Sequence, residues 1–196
     1  MARPNRSTEK RLEFLPHIAR AFAELGYRRT TTAELARRCG VQETALYRLW
    51  PDKKAMFIAA IEFVYDVSAT VWGKLLAESD GVASAAERLL RYESEHHGEF
   101  GYYRIVFAGL SELDDPEVRD ALAKMYKRYH RFIEQQIGSH RGRKNANGLP
   151  SAALAAWGVI GLGTMASIGR EIGLFGERQR QDVFERVGAA LLGKAG

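Results

Sequence analysis

The residues best suited to chemistry in this 196-residue chain lie between Thr31 and Lys54, where it reads TTTAELARRCGVQETALYRLWPDK. Ala36, Gly40 and Leu46 occur at the spacing with which a helix-turn-helix lets two short helices cross. Gly40 lacks a Cβ atom and can take the positive φ of a tight turn between them. The stretch therefore predicts two packed helices, of which the second presents polar side chains to solvent.

Those polar side chains suit contacts with base edges and phosphates. Thr31 or Thr32 can cap the first helix, with Glu34 reaching back. The spacing alone also fits two packed helices that touch no nucleic acid. The candidate positions on the second helix are Glu43, Thr44, Ala45, Tyr47 and Arg48.

Charge separates the N-terminal quarter of the chain from the rest. The whole chain has a formal net charge of +5. Residues 1–54 contain 12 lysines and arginines and 6 acidic residues, whereas residues 55–196 contain 17 and 18. The positive excess therefore accompanies the motif, where neutralising phosphates and releasing counterions would supply affinity for DNA.

Composition indicates a soluble cytoplasmic protein. The chain is 46% hydrophobic and 27% charged, within the range of globular domains. No apolar run approaches the ~18 residues of a membrane helix, and no apolar signal region follows the basic start.

The single cysteine, Cys39, is expected to pack as a small apolar residue, and a redox-sensing thiol beside Arg37 and Arg38 is the alternative.

Hydrophobic periodicity predicts an all-α fold, because apolar residues recur at spacings of three, four and seven and strand alternation is hard to find. Gly26 is expected to end the first helix, and Asp115 is expected to cap the helix that begins at Pro116. A loop is predicted over residues 138–148 and a break at residues 79–81. Residues 102–113 form a short apolar segment. The other predicted helical segments are residues 12–25, 53–78, 83–96, 116–137, 151–174 and 177–192.

The sequence around the motif resembles the TetR family of transcriptional regulators over roughly residues 8 to 60. The resemblance rests on Tyr47, on Trp50 followed by Pro51-Asp52-Lys53, and on upstream residues. The upstream residues are Phe22, Gly26-Tyr27, Thr31-Thr32, Leu35-Ala36 and Gly40-Val41. It implies a helix-turn-helix domain over residues 1–52 and a helical ligand-sensing and dimerisation domain over residues 53–196.

The same resemblance implies a function and a set of DNA contacts. A family member is expected to bind a partly palindromic operator as a dimer, most often as a repressor that a small molecule releases. Leu49 departs from the family, which often has a polar or aromatic residue there. The resemblance assigns phosphate contacts to Thr31, Thr32, Tyr47 and Lys53, and base contacts to Glu43, Thr44, Ala45 and Arg48.

The segment from residue 151 to residue 174 is more apolar than a helix with one buried face requires, and it is rich in glycine. Glycine weakens a helix by about 1 kcal/mol relative to alanine, a cost usually tolerated where backbones approach closely. We therefore expect a partner helix from a second copy, as the resemblance also implies, with packing inside one chain as the alternative. The candidate interface residues are Gly158, Gly161, Met165, Phe184, Val187 and Leu191.

Aromatic residues are frequent after residue 60. Most are expected in the core, but convergent tyrosine hydroxyls also suit a pocket for an organic ligand. The predicted inducer is a small apolar or aromatic molecule. The resemblance to the TetR family implies a pocket between the C-terminal helices and the long linking helix, with the candidate residues Trp72, Tyr92, Phe107, Tyr126 and Trp157.

Enzymatic motifs are missing from the sequence. Residues 161–166 match G-x-G-x-x-A, but that fingerprint requires a strand before it, which the pattern lacks. His96 and His97 are adjacent, so on a helix they point about 100° apart and are expected to be exposed and to bind no metal. We predict no catalysis, cofactor or metal. The alternative class is a helical binding protein or enzyme that does not bind DNA.

Overall fold

A computed structural model describes residues 6–77, 83–98, 101–142 and 148–193. This described part contains helices, turns and no β-strand, which confirms the predicted all-α fold. A π-helical turn over Val183–Val187 separates the last two helices. The helices are α1 (Arg6–Arg29), α2 (Thr32–Cys39), α3 (Glu43–Tyr47), α4 (Lys53–Ala77), α5 (Ala85–His96), α6 (Arg104–Leu110), α7 (Pro116–Arg141), α8 (Ala152–Glu171), α9 (Glu177–Asp182) and α10 (Gly188–Leu192).

The chain divides into two compact units. The first takes its described residues from 6–67 and 101–125, and the second from 68–98 and 126–193. Helices α4 and α7 each begin in the first unit and end in the second. The functional boundary predicted after residue 52 remains a prediction.

The core of the first unit forms around α1. Phe22 has no exposed surface and packs edge-on against Phe57 of α4, with ring centroids 4.8 Å apart. Leu35 of α2 and Leu46 of α3 are equally buried. Helix α6 packs along α1, and Arg28 near the end of α1 pairs with Glu112 just after α6.

The core of the second unit joins α5, α7, α8 and α10. Small residues on α8 let the other helices approach closely, since two alanines there are fully buried. The central buried residues are Ala86, Ile137, Ala155, Ala156 and Leu192.

Helix ends follow local sequence signals in most places. Gly26 has a φ of 74° and interrupts α1 where its end was predicted. Asp115 caps α7 by accepting hydrogen bonds from the backbone N–H groups of Glu117 and Val118, at 2.9 and 3.3 Å. The predicted break at residues 79–81 lies outside the described residues.

The loop predicted from Gly138 was placed too early, because α7 continues to Arg141. Arg141 is buried, and its guanidinium donates hydrogen bonds to the backbone oxygens of Pro150 and Leu191. These contacts with distant backbone hold the last turn of α7 in place. Residues 143–147 of the predicted loop lie outside the described residues.

Helices α4 and α8 are long and apolar enough, by length and composition, to cross a membrane. Apolar core helices of soluble proteins meet the same criteria. In the most apolar stretch of α8, 28% of the residues are buried, and Leu154, Trp157 and Met165 on this helix are exposed.

Candidate nucleic-acid interface

The turn between α2 and α3 has the conformation that the sequence predicts. Gly40 takes φ 67° and ψ 30°, the left-handed conformation that favours glycine. Its N–H donates to the backbone oxygen of Arg37 at 3.2 Å, and the N–H of Val41 donates to that of Ala36 at 3.0 Å. These two bonds close α2 with a Schellman-type cap and turn the chain towards α3.

The start of α2 is fixed by a threonine. Thr31 is extended, and its hydroxyl accepts a hydrogen bond from the backbone N–H of Glu34 at 3.2 Å. Helix α3 begins at Glu43, and Gln42 before it caps without a side-chain hydrogen bond. The motif therefore positions α3 mainly by packing Leu46 into the junction with α2.

Helix α3 presents its polar side chains outward. Thr44, Tyr47 and Arg48 are exposed, and Ala45 is partly exposed. The side chain of Leu49 is buried, so this departure from the family pattern packs in the core rather than reaching outward. The assigned contacts of the exposed residues with DNA remain predictions.

Thr32 and Glu43 are bound to each other. The hydroxyl of Thr32 donates a hydrogen bond to Oε2 of Glu43 at 2.5 Å. The resemblance to the family assigns Thr32 to a phosphate and Glu43 to a base, and the sequence gives no sign that their side chains meet.

The side chain of Lys53 is partly buried, whereas a contact with phosphate predicts an exposed side chain. Its Nζ donates hydrogen bonds to the backbone oxygens of Tyr27 and Thr30, both at 3.1 Å. The same ammonium lies 4.3 Å from the ring centroid of Tyr27. Lys53 thus ties the start of α4 to the end of α1.

Two arginines of α2 are engaged with acidic residues. Arg37 and Arg38 both donate to the carboxylate of Glu34, at distances from 2.7 to 2.9 Å. These hydrogen bonds lower the pKa of Glu34 to about 2. Arg38 also pairs with Glu24 of α1 at 2.6 Å, which joins α2 to its supporting helix.

Cys39 has the environment of a packed residue. Burial, with a smaller contribution from the charge of Glu13, raises the pKa of its thiol to about 11. A reactive thiolate needs a lowered pKa, so these surroundings argue against the redox alternative.

The candidate pocket residues of the second unit lie in different surroundings. Trp72 is buried, stacks on Phe132 with ring centroids 4.8 Å apart, and donates from Nε1 to Oε1 of Glu93 at 2.9 Å. Tyr92 stacks on His96, Tyr126 is half-buried, and Trp157 is 49% exposed. Phe107 belongs to the first unit. The pocket formed by these five residues remains a prediction.

The expectation that His97 is exposed was wrong. Its Nδ1 lies 2.8 Å from Oε2 of Glu93, and its Nε2 lies 2.8 Å from the backbone oxygen of Gly163. The spacing of four residues between Glu93 on α5 and His97 directly after that helix could have indicated the first contact. The second joins residues 66 positions apart and has no local signal.

The candidate dimer residues divide into exposed and packed sets. Gly161, Met165 and Val187 are exposed. Phe184 is 2% exposed and packs against the ring of His97 at 5.0 Å, so its predicted place at an interface does not fit its position in the core. Gly158 and Leu191 lie against each other within the chain.

The geometry of α2, the turn and α3 defines a helix-turn-helix DNA-binding protein, supported by α1 and α4. A family model described as bacterial regulatory proteins of the tetR family matches residues 17–60. Residues 17–60 thus carry the DNA-binding domain of this family, as predicted from the sequence, and the chain is a DNA-binding transcriptional regulator.

The chain is also similar to a curated relative and shares its fold with solved structures. The nucleoid occlusion factor SlmA of Vibrio campbellii is 26% identical over 145 residues, covering 71% of this chain and 72% of SlmA. The TetR-family regulator of Cytophaga hutchinsonii has the same fold, with a TM-score of 0.77 and 16% identity over 98% of this chain and 97% of that one. The regulator FadR of Bacillus subtilis, solved in complex with stearoyl-CoA, has a TM-score of 0.68 and 16% identity over 94% and 99%.

Proposed function

We propose that this regulator is a cytoplasmic homodimer that represses transcription from a partly palindromic operator and is released by a small apolar or aromatic molecule. Residues 1–52 read the operator, and residues 53–196 sense the ligand and dimerise. We assign the chain no catalytic role. The observation that carries the proposal is the exposed face of α3. The side chains of Thr44, Tyr47 and Arg48 are exposed there and can contact DNA.

Dimerisation is supported by a stripe of exposed residues along α8. Leu154, Trp157, Gly161 and Met165 follow one another at spacings of three and four, which places them on one face of the helix. Leu154 is 62% exposed and Met165 is 47% exposed. A second copy of α8 would cover this face around a two-fold axis. Two copies of α3 about 34–36 Å apart would then read the two halves of the operator.

Ligand control is supported by the continuity of α4. This helix begins at Lys53, beside the motif, and carries Trp72 in the second unit. A ligand that favours one position of α4 over another would change the spacing of the reading helices, because coupling requires different affinities for two states. FadR, solved with stearoyl-CoA, provides a precedent for a bound organic ligand on this fold.

A mobility shift against the DNA that flanks the coding region tests the proposal. Wild-type protein should shift this DNA more strongly than random DNA of equal length, and the affinity should fall steeply as salt rises. Arg48→Ala should cost about 1–3 kcal/mol, mainly on the preferred sequence. Equal binding of flanking and random DNA by the wild type, without salt dependence, would contradict the proposal.

Ligand control needs its own experiment. Compounds that release the operator should also change tryptophan emission, because Trp72 is expected near the ligand. Trp72→Phe keeps an aromatic ring but removes the hydrogen bond to Glu93, and it should weaken the response while operator binding by the free protein persists. An inducer that binds Trp72→Phe and Tyr126→Phe with wild-type affinity would place the ligand elsewhere.

A further inference from the structure

We propose that Glu43 selects a cytosine in each half of the operator, and that Thr32 holds the Glu43 carboxylate in position to do so. This inference rests on the proposed function, since it requires α3 to enter the major groove. It changes the role of Thr32 from a phosphate contact to a positioning residue for a base contact.

The hydrogen bond between the two residues fixes one end of the carboxylate. Thr32 begins α2 and Glu43 begins α3, and the 2.5 Å distance from Oγ1 to Oε2 is that of a short charge-assisted bond. Both side chains are partly exposed. Oε2 is thereby held against α2, which leaves Oε1 to accept a hydrogen bond from a partner outside the protein.

Within the described residues, the carboxylate of Glu43 pairs with no cation, whereas the neighbouring carboxylates of the motif do. Glu34 binds Arg37 and Arg38, and Glu24 binds Arg38. In the described part of the chain, Thr32 is the one hydrogen-bond partner of Glu43, and no lysine or arginine pairs with it. An unpaired carboxylate brought close to DNA phosphates weakens binding to every sequence unless a base donates a hydrogen bond to it.

The chemistry of base edges identifies the donor. Ionised carboxylates accept hydrogen bonds and donate none. In the major groove guanine presents two acceptors, thymine an acceptor and a methyl group, and adenine an amino group beside the acceptor N7. Cytosine presents its N4 amino group as a donor. A carboxylate at Glu43 therefore favours cytosine and disfavours the other three bases.

Selection of bound duplexes from a randomised DNA library tests this inference. Wild-type protein should enrich sequences with cytosine at one position of each half-site. Glu43→Ala should lose the preference at that position alone, and it should bind random DNA as tightly as the wild type or more tightly. Glu43→Gln should shift the preference towards adenine, since the amide can both donate to N7 and accept from the amino group.

Variants of Thr32 distinguish a role in positioning the Glu43 carboxylate from a role in stabilising the fold. Thr32→Val removes the donor with little change in shape and should reduce the preference for cytosine over the other bases by at least about fivefold, within the range of one base contact. Thr32→Ser keeps the hydroxyl and should retain the preference. Thermal unfolding of each variant shows that it is folded before selection.

The possible outcomes distinguish the two proposals. Enrichment of one operator with the same base preference in wild type, Glu43→Ala and Glu43→Gln would overturn the role of Glu43 and leave the proposed function intact. Equal preference in Thr32→Val and wild type would overturn the role of Thr32. A wild-type protein that enriches no sequence would overturn the proposed function, and this inference with it.

Discussion

A Cβ atom placed on Gly158 of α8 would lie 3.0 Å from Cδ1 of Leu191 of α10. The absence of a side chain at Gly158 therefore lets α8 and α10 pack closely. Three residues further along α8, Gly161 is exposed, and a Cβ atom there would contact nothing within 4 Å. Gly158 thus allows close packing inside the chain. Gly161 makes no close contact of this kind with the described residues.

This contrast makes Gly161→Leu a selective test of the dimer. A leucine at this position should not disturb the folded monomer, but it should overpack a contact between two copies of α8 by about 1–3 kcal/mol. We expect sedimentation equilibrium to show a shift from dimer to monomer and a parallel loss of operator affinity.

Two control variants accompany the dimer experiment. Gly161→Ala adds one methyl group and raises helix propensity by about 1 kcal/mol, so it should keep the fold. Gly158→Leu should lower the free energy of unfolding, because it collides with Leu191. Wild-type protein that sediments as a monomer, with no change in Gly161→Leu, would refute the proposed interface.

Lys53→Ala should lower stability as well as DNA affinity. The substitution removes two hydrogen bonds from a charged donor to the backbone oxygens of Tyr27 and Thr30. We expect the free energy of unfolding in urea to fall by about 1–3 kcal/mol. If the ammonium also neutralises a phosphate, the salt slope for random DNA should fall by about one.

Lys54→Ala is the matched control for Lys53→Ala. Lys54 pairs with Asp115 and Glu117 at the start of α7 and lies near the surface. Its removal should cost less stability than that of Lys53, since exposed ion pairs contribute about 0–1 kcal/mol. Equal stability of Lys53→Ala and wild type would contradict the role given to Lys53.

The pairing of Glu34 with two arginines should appear in the acid stability of the protein. The pKa of Glu34 falls from 4.5 to about 2 in the folded state. Its contribution to stability is therefore complete above pH 4.5 and is lost as pH falls towards 2.

Glu34→Gln isolates this effect. The difference in unfolding midpoint between wild type and Glu34→Gln should be constant above pH 4.5, shrink from pH 4.5 to pH 2, and diminish in high salt. A difference that stays constant down to pH 2 would show that the carboxylate gains nothing from Arg37 and Arg38.

Cys39 should resist alkylation in the folded protein. With a thiol pKa of about 11, very little thiolate is present at pH 8. Iodoacetamide should therefore modify Cys39 much more slowly in native protein than in urea, as measured by mass spectrometry. Rapid modification of the native protein would restore the redox alternative.

Features fixed by neighbouring residues could be predicted from the sequence. The positive φ of Gly40, the cap at Thr31 and the cap at Asp115 all depend on residues within four positions. Each involves a backbone group of the same helix end, so the residue type and its place before or after an apolar run are sufficient evidence.

Features that depend on distant partners could not be predicted in this way. Thr32 meets Glu43 across the helix crossing, Lys53 finds carbonyl groups 23 and 26 residues earlier, and His97 reaches Gly163. Periodicity identifies a buried face but not the side chains opposite it. For that reason the buried position of Phe184 against His97 also escaped prediction.

The first unit is assembled from two separate stretches of chain, since α6 and the start of α7 belong with α1, α2, α3 and the start of α4. A hybrid regulator made by joining the N-terminal 67 residues to the remainder of a relative would therefore replace α6 beside α1 with a foreign helix, and would lose the partner of Arg28 unless an acid stood at the position of Glu112. A hybrid that keeps the packing of the first unit therefore needs residues 101–125 transferred together with the reading helices, so the gene segments that encode this unit are not contiguous.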